Sequence, residues 1–419
     1  MAIARALSIM FASSFPLVKL FGIELRLHWS SFVIFTLILT NLAMGVFPAW
    51  HPQWSSQLAW EVALGTTLLF FASIVAHELA HALVARAYDI PVSSIVLFLF
   101  GGIADLEEDP DSPKKEGLMA GVGPLVSLVL GAVFWLLASA LAGPVSADAS
   151  PAQQFAQLSP LATLLGWLGP INIFIGLFNL LPGFPLDGGR VLRSLLWAAT
   201  GDLTRATRWA ARAGQGFGAV LMLFGILMAL GSSLPIFGSG LGNGLWLLLI
   251  GWFLYTAAIG SYSQLLAKLA LRGRPVSSMM RRLSSPVRAN ISVEDWVRDA
   301  VMTSGAEQFA VVDKNGRLLG IVHSVSARRV AKDQWASTPV SALVEPIDDK
   351  QAVELNDDCY DAFRKLQRAH APELLVLDGN EPVGAFGLSQ VARWLHLVQG
   401  NGRGPGGPFT WTPPPPQGT

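Results

Sequence analysis

The sequence predicts a polytopic α-helical membrane protein of six transmembrane helices with a C-terminal soluble α/β domain. Three observations carry that expectation. Apolar residues make up 52% of the 419-residue chain and crowd into its first 270 or so positions. Charged residues make up only 14%, against about 25% in an ordinary soluble chain, and most lie after that point. Finally, the Lys and Arg of the apolar part alternate between successive loops.

A helix needs about 20 apolar residues to cross a bilayer. The six candidate spans are 29–47, 60–85, 118–141, 161–181, 217–230 and 245–265. Arg5, Lys19 and Arg26 precede the first span. The second-to-third loop holds Arg86, Lys114 and Lys115, and the fourth-to-fifth holds Arg190, Arg193, Arg205, Arg208 and Arg212. Lys268, Arg272 and Arg274 follow the sixth span, while the loops at 51–56, 143–159 and 231–243 carry no Lys or Arg. Basic residues accumulate on the cytoplasmic side, so both termini are expected there, in a cell membrane or a plastid membrane. The first 20 residues lack the clean apolar run of a cleavable leader.

Residues 1–270 therefore read as the membrane domain and 275–398 as a soluble domain built from two similar units. In the first unit a helix at 293–303 precedes a strand at 309–313, a Lys314-Asn315-Gly316 turn, a strand at 318–322 and a helix at 324–331. The second unit repeats this order with a helix at 361–370, strands at 374–377 and 382–386, and a helix at 389–396. Residues 401–419, rich in Gly and Pro, read as a disordered tail. Zero net charge gives no field for nucleic acid. The single Cys359 excludes an internal disulfide and a Cys-rich metal site, and reads as a half-buried structural residue.

The chemistry lies in the second span, in His77-Glu78-Leu79-Ala80-His81. Residues four apart share one helix face, so both imidazoles can bind one Zn²⁺, with Glu78 as general base on the metal-bound water. An ionisable group in hydrocarbon costs roughly 3 kcal/mol or more, which makes it a functional candidate by default. His77 stands about 17 residues, or roughly 25 Å, from the outer end of its span, in the cytoplasmic half. Asp187 follows a complete crossing and reaches a similar depth, just after Pro182 and Pro185 break the fourth span. It is the natural third ligand, which leaves a fourth position open for water. Asn179, polar in an apolar run, is read as a donor to the scissile carbonyl oxygen.

At these residues the chain resembles the site-2 protease family of intramembrane zinc metalloproteases. The likeness rests on the HExxH of His77 to His81 and the N-x-x-P-x-x-x-x-D-G of Asn179 to Gly188, joined by Phe100-Gly101-Gly102 and Ala120-Gly121-Val122-Gly123-Pro124. It implies one Zn²⁺ per chain on His77, His81 and Asp187, water activation by Glu78 and oxyanion stabilisation by Asn179. It also implies a membrane-associated β-hairpin over 94–106 that presents an unwound substrate, and regulated intramembrane proteolysis of a membrane-anchored protein in or near its transmembrane helix. The soluble repeat resembles a tandem CBS pair at Ser277-Ser278-Met279-Met280 and Gly320-Ile321-Val322. Such pairs often bind an adenine nucleotide or form homodimers. Here Ser326 and Gln390 stand where the ribose-binding Asp is usual, which weakens the case for an adenine nucleotide and puts dimerisation or substrate gating level with it.

The competing reading is a non-proteolytic transporter or scaffold regulated by its CBS pair. It would call for an inverted repeat among the spans, which the sequence lacks. His28, beside Trp29, reads as interfacial, and His323 and His370 as surface or packing residues.

Overall fold

The computed structural model describes residues 14–400 apart from 99–100, 107–108, 143–155, 235–237, 283–285, 305–307, 347–350, 370, 372 and 380. Phe100, His370 and the 401–419 tail lie outside the described residues. The chain forms two compact units, Met1–Leu265 and Leu266–Thr419.

The first unit opens on strands β1 (Ser14–Leu20) and β2 (Ile23–His28). Helix α1 (Ser30–Trp50) follows, then α2 (Ser56–Ala87), started by Ser55, whose hydroxyl caps the Leu58 N–H. Strands β3 (Val92–Phe98) and β4 (Gly101–Leu106) come next, followed by α3 (Pro113–Leu141) and α4 (Pro160–Asn179). Helix α4 starts on a Ser159 cap with Pro160 in its first turn, where its missing N–H costs nothing. Then come α5 (Asp187–Thr200), α6 (Leu203–Ala229) and α7 (Leu241–Leu271). Among the described residues six helices (all of these except α5) are long and apolar enough to cross a membrane.

The fifth span begins at Leu203 rather than 217, so Arg205, Arg208 and Arg212 lie in its helix and not in a loop. Two further features of the first unit depart from the sequence expectation. The hairpin at 94–106 is half of a four-stranded sheet in the order β1-β2-β3-β4. The N-terminal stretch, read from the sequence only through the basic residues ahead of the first span, supplies the other half through parallel pairing of Glu24 with Ser94 and Leu27 with Leu97. The buried Ile23, Leu25, Ile95 and Leu97 pack with Ala82 and Ala85 of α2, so the sheet is anchored to the helix that carries His77 and His81. Second, 187–200, read as loop, is the helix α5, ended by Gly201 in the left-handed conformation. His28 is buried, with its Nδ1 2.7 Å from Ser30 Oγ, so its role is local packing rather than interfacial exposure.

In the second unit β6 (Val287–Arg288) joins β7 (Gln308–Val312) and β8 (Leu318–His323) in one sheet. The short β5 (Arg281–Arg282) joins β11 (Glu381–Gly387), β10 (Glu373–Asp378) and β9 (Ala352–Glu354) in another. The expected helix at 324–331 is a 3₁₀ stretch, Ser324–Arg329. Helices Cys359–Ala369 and Leu388–Gly400 match the second repeat. Cys359 is fully buried, deeper than expected, and burial pushes its thiol up to about 11, so it is unreactive at neutral pH.

Candidate active site

His77 and His81 lie one turn apart on α2, with relative exposures of 5% and 9%. Pro182 and Pro185 end α4 and turn the chain so that Asp187 becomes the first residue of α5. Three ligand atoms from two distant segments thereby converge. Asp187 Oδ2 is 3.2 Å from His77 Nε2 and 3.1 Å from His81 Nε2, and the two nitrogens are 3.2 Å apart. Ligand atoms around a tetrahedral zinc with bonds of about 2.0–2.1 Å lie about 3.3 Å apart. The triangle therefore has the dimensions of one face of such a site, and among the described residues these three form the group with metal-ligand spacing.

The donor chemistry fits as well. His81 Nδ1 faces the Met119 carbonyl at 2.6 Å. A carbonyl can only accept, so Nδ1 carries the proton and Nε2 presents a lone pair. His77 Nδ1 is 2.9 Å from Ser127 Oγ, a partner that can accept from it in the same way. Both orienting groups come from α3, and the sequence reading missed both. A backbone carbonyl leaves no mark in a sequence. Ser127, a buried hydroxyl in an apolar run, was the available signal.

Glycines let two further elements close on the centre. A Cβ on Gly123 would sit 2.1 Å from His81 Nε2 and 2.8 Å from His77 Nε2. One on Gly102 would sit 2.4 Å from Glu78 Cγ. Strand β4 thus lies directly against Glu78. Two opposite failures are expected. Gly123→Ala pushes the imidazoles apart and loses both metal and activity. Gly102→Ala displaces only the Glu78 side chain, so it keeps the metal and loses activity. Zinc analysis of the two purified variants separates them, and equal zinc content in both would contradict this geometry.

Asn179, the last residue of α4, is not brought into the ligand cluster. Its amide donates to Ile175 O at 3.1 Å, a bond within its own helix.

The family model for peptidase family M50 matches residues 65–143 and 137–225. A Synechocystis protein named as a zinc metalloprotease is 33% identical over 379 residues, covering 90% of this chain and 94% of the relative. The site-2 protease from Methanocaldococcus jannaschii is 27% identical, covering 59% of this chain and 95% of that one, with a TM-score of 0.39. The CBSX2 protein in complex with AMP covers 30% of this chain and 99% of that one at 20% identity, with a TM-score of 0.27.

Proposed function

The chain belongs to peptidase family M50, and from that premise we propose that it is an intramembrane zinc metalloprotease acting in regulated proteolysis. It cleaves a peptide bond in or near the transmembrane helix of a membrane-anchored substrate. The observation that carries this reading is the convergence of His77, His81 and Asp187 among helices of membrane-spanning length, with Glu78 beside them.

In the proposed assignment His77 and His81 bind one zinc through Nε2 and Asp187 through Oδ2. Zinc bound there supplies Lewis acidity to a water and to the scissile carbonyl. Glu78 takes the proton from the attacking water and returns it to the leaving amine. Met119 O and Ser127 Oγ hold the imidazole tautomers and orientations through the cycle. Asn179 is proposed to give its amide hydrogens to the developing oxyanion, after exchanging its bond to Ile175 for one to the substrate.

The alternation of Lys and Arg between loops supports an orientation with both termini and the second unit on the cytoplasmic side. The second unit is proposed as a CBS-type regulatory module, with residues 1–270, 275–398 and 401–419 as protease domain, regulatory pair and tail. Dimerisation or substrate gating suits it better than an adenine nucleotide. Gln390 Oε1 is engaged by the Gly387 N–H at 3.0 Å, in the place of the ribose-binding carboxylate.

The test compares membrane-protein fragments between cells carrying the native chain and cells carrying Glu78→Gln. At least one single-span membrane protein is expected to accumulate uncut in the variant. Identical fragment patterns would refute the proteolytic reading.

A further inference from the structure

Helix α3 bears on the metal centre at a third point, away from the ligands. Glu116, in its first turn, is only 1% exposed. A carboxylate this buried needs cations to hold its charge. Two arginines of α5 provide them. Arg193 donates to Glu116 Oε1 through Nε at 2.6 Å and again through Nη2, and Arg190 Nε lies 4.0 Å away. The Arg193 guanidinium also lies over the Phe184 ring, 5.1 Å from its centroid, so the break between α4 and α5 is held by the same group.

The two helices run close along this contact. A Cβ on Gly117 would stand 2.8 Å from Ser194 Oγ. Arg190 and Arg193 follow Asp187 by three and six residues on a single rigid helix. Whatever fixes them fixes the rotation and height at which Asp187 meets the imidazoles. Helix α3 already orients both rings, through Met119 and Ser127. One helix therefore references all three ligands, two through hydrogen bonds to the rings and the third through the Glu116 ion pair.

We propose that Glu116, with Arg193, is a positioning pair that sets the third metal ligand, so that its loss weakens zinc binding specifically through Asp187. This rests on the proposed metal-centre reading. The pair touches neither metal nor substrate in this role. Its arginine partners were read from the sequence only as topological charges.

The test measures zinc affinity by chelator competition on the purified full chain in four forms: native, Glu116→Gln, Asp187→Ala, and the double variant. Glu116→Gln is expected to weaken zinc binding roughly 10–100-fold, as removing an outer partner of a metal ligand does. In the Asp187→Ala background the same change is expected to have no further effect, because the ligand through which it acts is gone. A merely structural role would lower affinity equally in both backgrounds. That outcome, or native affinity in Glu116→Gln, overturns the proposal while leaving the metal centre intact. Native protein that takes up no zinc overturns the metal centre and this proposal together. Arg193→Lys keeps the charge but loses the fork, and is expected to reproduce the loss should Glu116→Gln fail to fold.

Discussion

Glu78→Gln is expected to hold about one zinc per chain, like the native protein, and to cleave nothing measurable. Glutamine matches glutamate in shape, and residue 78 is not one of the three convergent ligands. What it removes is the proposed general base. A positioned general base contributes roughly 10²–10⁴ in rate, or about 3–5 kcal/mol of transition-state stabilisation. Residue 78 sits under strand β4, against Gly102, so a bulk-water base has little room to replace it. The measurements are zinc content of the purified protein and turnover of a helical membrane substrate in proteoliposomes. Native turnover in the variant would remove Glu78 from the chemistry, and loss of zinc would make it a ligand.

Asp187→Ala is expected to fail earlier, at the metal. Asp187 Oδ2 is within 3.2 Å of both ring nitrogens and supplies the anionic member of the set. Its side chain is 16% exposed, so water replaces it only in part. Removing a ligand outright costs more than the 10–100-fold in affinity typical of losing an outer partner. Zinc should therefore wash out under a chelator that leaves the native protein loaded, and cleavage should vanish with it. Asp187 also opens α5, where a negative charge contributes about 0.3–1 kcal/mol against the helix dipole. The thermal midpoint of the zinc-free protein should therefore fall only slightly. Retained zinc in Asp187→Ala would make Asp187 a hydrogen-bond partner of the histidines rather than a ligand.

Much of this site was legible in the chain because its signals are local. His77 and His81 share a face through the 3.6-residue helical period, and Asp187 stood out as a charge just after a proline-broken span. The sheet was not legible. Strand β2 reads as a half-polar stretch, and its pairing partner lies across two membrane helices, at Glu24 with Ser94. Helix α5 was hidden for another reason. Gly188 and Gly189 argue against a helix start by propensity, yet they are required because Leu180, Gly183 and Phe184 backbone atoms crowd the places their Cβ atoms would take. Asn179 shows the converse, since its polarity in an apolar run was plain while its bond to Ile175 could not be foreseen.

By itself, then, the sequence determined the six membrane helices and the residue types at the proposed metal centre. A bilayer demands long apolar runs, and an ionisable group inside one is conspicuous. Tertiary structure alone decided how those residues meet. It joined β1 and β2 to the hairpin, set Gly123 against the imidazoles and Gly102 against Glu78, and made α3 the common support of both histidines and of α5. Such decisions depend on close approach between segments far apart in the chain, and hydrogen bonds to a carbonyl such as that of Met119 carry no residue-type signature.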